Sequence, residues 1–112
     1  MKPQTAVEAL GSLAHEHRLA LFRLLVQAGE AGVSAGSLAE ALSVPNSSLS
    51  FHLAHLFRAG LIEQRREGRS LIYTANYAVM NDLVGYLMEN CCAGADCGTD
   101  AACEPAQERK SA

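Results

Sequence analysis

Apolar residues recur at helical spacing as far as Gly60, and the pattern then gives way to two short β-like runs and one last helix. Ala6, Val7, Leu10, Leu13 and Ala14 predict a first helix. A second is predicted over 16–27, with Leu19, Phe22 and Val26 on one side and Leu21, Leu24 and Leu25 filling the rest. A helix that is apolar nearly all round belongs in the middle of a core. Ala28-Gly29 and Gly32 end it, and Ser34 is a good N-cap for a third helix over 35–41, with Leu38 and Leu42 inward. The turn Ser43-Val44-Pro45 opens a fourth helix running to about 59. Proline presets its own φ and moves the residue before it out of helical geometry. Leu49, Leu53 and Leu56 lie at i, i+4 and i+7 and form the buried stripe of this helix, and Gly60 ends it. The runs 61–66 and 70–75, joined by Glu67-Gly68-Arg69, predict a hairpin. A last helix over 77–90 carries a wide apolar band of Met80, Leu83, Val84, Leu87 and Met88.

The predicted order is ααααββα, a mainly α (α+β) fold of the winged helix-turn-helix kind. The 112 residues suffice for one domain, read here as 1–90, followed by a flexible cysteine-containing tail over 91–112. Apart from its cysteines that tail is mostly Ala, Gly, Asp, Thr, Glu and Ser, with little to bury. A domain of this size buries only about two thirds of the surface its unfolded chain exposes. A terminal helix as apolar as the last one therefore predicts a homodimer interface, with packing on its own core as the plainer alternative. No stretch approaches the roughly 18 apolar residues that span a membrane. Gln4 and Glu8 interrupt the run a signal peptide would need. The expectation is a cytoplasmic protein without membrane contact, where thiols stay reduced.

Charge changes the picture by its distribution. The net charge is −3. Between Arg58 and Arg69, however, four arginines (58, 65, 66, 69) face two glutamates (63, 67), a local +2. Residues 91–112 carry Asp96, Asp100, Glu104 and Glu108 against Arg109 and Lys110, a local −2. A duplex responds to the near field, because charges beyond about 10 Å are screened at cellular salt. An α-helix fits the major groove, and a two-stranded ribbon reaches along the backbone beside it. The face of the fourth helix opposite its leucines holds Ser47, Ser48, Phe51, Ala54, His55 and Arg58, with Asn46 at the helix start. Asn46, Ser47, Ser48 and Ser50 are candidates for phosphate or base-edge contacts, and His55 and Arg58 for the backbone. Phe51 suits a thymine methyl, or alternatively packs on the hairpin. His52, also a candidate, lies at the edge of the buried stripe and reads equally as a partly buried histidine. Arg65, Arg66 and Arg69 flank Gly68, which predicts a wing tip with three guanidinium groups.

The run Leu38-Ala39-Glu40-Ala41-Leu42, then Ser48-Leu49-Ser50-Phe51-His52-Leu53-Ala54-His55-Leu56, then Ala59-Gly60-Leu61-Ile62, then Arg66-Glu67-Gly68-Arg69 and Tyr73, resembles the ArsR/SmtB family of metal-responsive repressors. Leu13-Ala14, Arg18-Leu19 and Leu24-Leu25 are similar to the family's second helix, so the resemblance spans about residues 10 to 90. Pro45 departs from it, standing where the family has a polar capping residue. The resemblance implies a homodimer built on the first and last helices, which binds a palindromic operator in double-stranded DNA and represses transcription.

All four cysteines come late: Cys91, Cys92, Cys97 and Cys103. In a reducing cytosol clustered thiols bind metal or sense redox state. The family's cysteine pair on the third helix is absent here, and the last helix has Asp82 but no histidine for a zinc site. Asn90-Cys91-Cys92-Ala93-Gly94-Ala95-Asp96-Cys97 resembles the arsenic-responsive subgroup, in which a vicinal pair and a third cysteine hold trivalent arsenic. The resemblance implies Cys91, Cys92 and Cys97 as ligands of As(III) or Sb(III), with Cys103 as an optional further thiol and no organic cofactor. Soft thiolates favour soft ions, and neighbouring cysteines are awkward for a tetrahedral zinc cage. Zinc, cadmium or lead, and thiol oxidation, remain alternative inducers. A metal-sequestering or redox thiol protein that ignores DNA is a further alternative. No nucleophile stands beside a base and no glycine loop cradles a phosphate, so the chain does not read as an enzyme.

Overall fold

The leucines of the second and fourth predicted helices meet at the centre of the fold. In the computed structural model, which describes residues 1–94, these helices are α2 (Glu16–Ala28) and α4 (Asn46–Arg58). They follow α1 (Pro3–Leu13) and are separated by β1 (Val33–Ser34) and α3 (Ala35–Leu42). The hairpin β2 (Ile62–Glu67) and β3 (Ser70–Ala75) comes next, then α5 (Tyr77–Leu87). This is a winged helix-turn-helix with one strand more than the sequence predicted. The sheet runs β1-β3-β2, antiparallel throughout. Leu21 and Leu25 of α2, Leu38 of α3, Leu49 and Leu56 of α4, and Leu61 and Ile62 at the start of the wing are the large side chains withdrawn from water. Each is worth about 1.5–3 kcal/mol of transfer free energy.

Two expectations need correction. Leu19 is 47% exposed, so α2 is not covered all round. The last helix stops at Leu87 rather than near 90, because Asn90 takes a φ of 58°, which an α-helix cannot accommodate. The chain continues as a short 3-10 turn, Cys91–Gly94, in which Cys92 and Ala93 also have positive φ.

Local chemistry explains most boundaries. The Ser34 hydroxyl accepts a hydrogen bond from the Ser37 amide and caps α3. That helix ends in a Schellman motif: Ser43 sits in the left-handed region at φ 55°, its N–H donates to Glu40, and Val44 N–H donates to Ala39. Asn76 caps α5 by accepting from Val79 N–H. The Tyr77 hydroxyl donates to the Val26 carbonyl at 2.8 Å, which fastens α5 to an otherwise unpaired carbonyl in the last turn of α2. At the wing tip Gly68 has φ 63° and Arg69 does not, the pattern of a type II′ hairpin turn.

β1 escaped the sequence reading because it is two residues long. It exists through its partner: Val33 pairs with Tyr73 and Ser34 with Ile72. Gly32 makes the approach possible. Its φ of 72° and ψ of −175° lie in a region essentially reserved for glycine. A Cβ there would come within 2.6 Å of Ile72 Cγ2 and 2.7 Å of the Tyr73 carbonyl oxygen. Gly32→Ala should therefore destabilise the protein by at least about 2 kcal/mol in urea unfolding, since strain and backbone clash act together.

Candidate nucleic-acid interface

Burial of Leu49, Leu53 and Leu56 decides which side of α4 faces out. Asn46, Ser47, Ser50, Phe51, Ala54 and Arg58 are exposed, and Ser48 and His55 are half-buried. Phe51 is 57% exposed and stands edge-on to the His55 ring, with centroids 4.8 Å apart. The aromatic beside the hairpin is instead Phe57. It lines a groove of about 230 Å³ with Ser50, Leu53, Ala54, Gln64 and Tyr73. Phe57 was missed because a single stripe of leucines left no role for it.

The start of α4 is electrostatically open. Its N-cap is Pro45, no side chain caps the first amides, and no acidic residue lies in the first turn. The amides at this end, with the positive end of the helix dipole, form a ready site for a phosphate. His55 and Arg58 lie in the last turn.

His52 is turned inward and only 6% exposed. Its Nδ1 faces Arg18 Nη1 at 3.5 Å, and Arg18 Nε donates to the Ser12 carbonyl at 2.6 Å. Arg18 thus ties the end of α1 and the start of α2 to α4. Burial, then His15, Arg18, His17 and His55, hold His52 below the usual histidine pKa. His55 is lowered as well, by desolvation first and then by Arg18, Arg58 and His15. Sequence reasoning passed over His15, His17 and Arg18; the available signal was the paired spacing His15-x-His17 and His52-x-x-His55.

The wing divides its arginines. Arg65 donates to the Glu30 carbonyl at 3.0 Å and the Ala31 carbonyl at 2.9 Å, and its Nε pairs with Glu67 at 2.6 Å. Its guanidinium braces the hairpin against the short 3-10 turn Gly29–Ala31 that follows α2, so it is not one of three equivalent groups at a tip. Arg66 and Arg69 are exposed, and neither forms a salt bridge among the described residues. Of the thiols, Cys91 is half-buried and Cys92 exposed directly after α5. Cys97 and Cys103 lie outside the described residues.

Residues 13–65 match the model of a helix-turn-helix domain family. The transcriptional activator HlyU of Vibrio cholerae is 33% identical over 82 residues, 73% of each chain. Among solved structures, reduced HlyU superposes with a TM-score of 0.64 at 31% identity, over 80% of this chain and 90% of that one. An ArsR-like regulator from Rhodococcus gives 0.69 at 28% identity, over 81% and 82%. The chain belongs to the ArsR family of winged helix-turn-helix transcriptional regulators. The homodimeric winged helix-turn-helix DNA-binding domain Mb0332 of Mycobacterium bovis, described as a possible ArsR-family regulator, matches with a TM-score of 0.61 at 27% identity, over 78% of this chain and 81% of that one. These relatives are transcriptional regulators. Among the described residues no helix is long and apolar enough to cross a membrane.

Two outcomes follow from this geometry. Arg65→Ala should lose about 1 kcal/mol of stability through its backbone hydrogen bonds, whereas Arg66→Ala and Arg69→Ala should stay within about 0.5 kcal/mol of the parent in urea titrations. With chelator present, stability should fall as pH drops below about 6.5. The unfolded chain takes up the His52 proton there while the folded chain, with its lowered pKa, resists it. The loss is complete once pH passes below the folded value, and His52→Gln should flatten this slope.

Proposed function

We propose that the protein is a homodimeric repressor that leaves its operator when trivalent arsenic or antimony binds thiolates at the end of α5. The supporting observation is one of placement. Cys91 and Cys92 lie within five residues of the end of α5, where the apolar side chains Val84 and Leu87, and Met88 at the C-cap, are each more than half exposed. Sulfur ligation and subunit contact would then share one helix end. Val7, Leu10 and Leu19 add exposed apolar surface on α1 and α2. An apolar groove of about 330 Å³ runs between α2 and α5, lined in part by Leu19, Phe22, Val26, Met80 and Val84. A second subunit would pack on this surface, and the similar domain Mb0332 is described as homodimeric.

The donor set fits the ion. Thiolates are soft ligands, and trivalent arsenic takes three sulfurs without a fourth. The left-handed backbone at Cys92 and Ala93 bends the chain sharply where the vicinal pair sits. Cys91 and Cys92 would hold the ion together with Cys97, with Cys103 as a further thiol. On the duplex, the open start of α4 would take a phosphate, Ser47, Ser50 and Phe51 would meet base edges, and Arg58, Arg66 and Arg69 would meet the backbone. Two recognition helices would occupy half-sites about 34–36 Å apart, and a shift of the α5 ends would spoil that spacing. A switch of this kind needs a coupling of about 1–3 kcal/mol between ion and operator.

Gel-shift titration of the reduced protein on the duplex upstream of its own gene tests this. Arsenite should release the complex, and Cys91→Ser and Cys92→Ser proteins should bind DNA normally and ignore arsenite. Arg58→Ala and Arg69→Ala should weaken binding and reduce the salt slope by about one each. Release by zinc, cadmium, lead or peroxide in place of arsenite would transfer the role to those inducers. Activation in place of repression would align the chain with HlyU. Loss of DNA binding in both serine variants would make the cysteines structural.

A further inference from the structure

The chain has four histidines, and the fold gathers all of them into one corner although they lie at positions 15, 17, 52 and 55. His15 is the N-cap residue of α2, His17 lies in its first turn, and His52 projects from α4 toward them. The ring centroids of His15 and His52 are 4.7 Å apart, and His17 lies 5.6 Å from each. One ligand nitrogen from each of the three rings falls within 4.8 Å of the other two. We propose that His15, His17 and His52 form a binding site for a divalent transition ion of the nickel, copper and zinc class, at the junction of α2 and α4 and separate from the cysteines.

Several features favour an ion over a packed histidine cluster. None of the three rings hydrogen-bonds to a carboxylate among the described residues. The His17 ring accepts or donates no hydrogen bond there, and the only group within hydrogen-bond range of the His52 ring among the described residues is Arg18 at 3.5 Å, the far limit of a hydrogen bond. Three imidazoles with an open position for water are a common ligand set for zinc, and imidazole also suits copper and nickel.

The ion would also rearrange its surroundings. Tetrahedral bonds of about 2.0–2.1 Å require nitrogens about 3.4 Å apart, so the rings must close in by rotation. His15 is exposed and His17 half-buried, which leaves both free to rotate. A neutral imidazole has one lone-pair nitrogen. In the structure that nitrogen on His15 accepts from the His17 amide at 3.1 Å, and on His52 it faces the Arg18 guanidinium. Ligation therefore takes His15 from the α2 cap and His52 from Arg18. The His52 change occurs next to Phe51 on α4, the helix proposed to read DNA.

The test uses the full chain with Cys91, Cys92, Cys97 and Cys103 all replaced by serine, so that thiols contribute nothing. Calorimetric titration with Zn²⁺ should show one ion per protomer. Co²⁺ should give d–d bands without sulfur charge-transfer absorption. His17→Gln in the same background should weaken Zn²⁺ binding at least tenfold while leaving the circular dichroism spectrum unchanged; His15→Gln should do likewise. Imidazole NMR should show Zn²⁺-dependent shifts for the rings of His15, His17 and His52 together. Absence of Zn²⁺ binding, or binding of unchanged strength in His17→Gln, would overturn the proposal. The arsenite experiment is unaffected by either result, because it reads the cysteines.

Discussion

Keeping Leu49, Leu53 and Leu56 dry against α2 is the constraint from which the rest follows. Burying three leucines on one stripe holds α4 at a single rotation about its axis, because each is worth kilocalories only when fully covered. Everything presented to a duplex is what remains on the other side. Phe51 is exposed because Leu49 and Leu53 are not, and the open amides at Asn46–Ser48 point outward because α3 ends in a Schellman turn just before them. The candidate DNA-reading surface is thus a by-product of core packing. Substitutions in α2 that loosen this contact would rotate the reading face without touching it.

The cations of the fold are not interchangeable. Arg18 bridges Ser12 and His52 inside the helical corner, and Arg65 bridges two carbonyls behind the wing. Both satisfy acceptors that would otherwise end a helix unpaired. A cluster of positive charge in sequence therefore overstates what is offered to phosphate. Arg58, Arg66 and Arg69, whose side chains are exposed, supply the free field, and they lie on two separate elements, so α4 and the wing would meet the backbone at different places.

At the opposite side, the exposed apolar surface of α5 and the cysteines just after it describe a different economy. An apolar face of this extent is costly in water and suits burial against a second subunit. A ligand at the end of such a helix acts on an interface, where small displacements are amplified because packed surfaces are bistable rather than elastic. The histidine corner lies on α2 and α4 instead. The two sites would bias the same reading helix from different directions, one through subunit geometry and one through its own anchorage.

Hydrophobic spacing alone determined the five helices, the hairpin and the inward stripe of α4, because periodicity is a local property that side-chain burial obeys. It also determined that the cysteines follow the last helix and that the wing is rich in arginine. Only the tertiary structure decided the rest. β1 has too few residues to leave a pattern and exists by pairing with β3 across Gly32. The end of α5 depends on the left-handed turn at Asn90. Which arginines are engaged depends on carbonyls 34 and 35 residues away, and the meeting of His15 and His17 with His52 depends on α2 packing on α4. These are contacts between segments distant in sequence, and no window along the chain contains both partners.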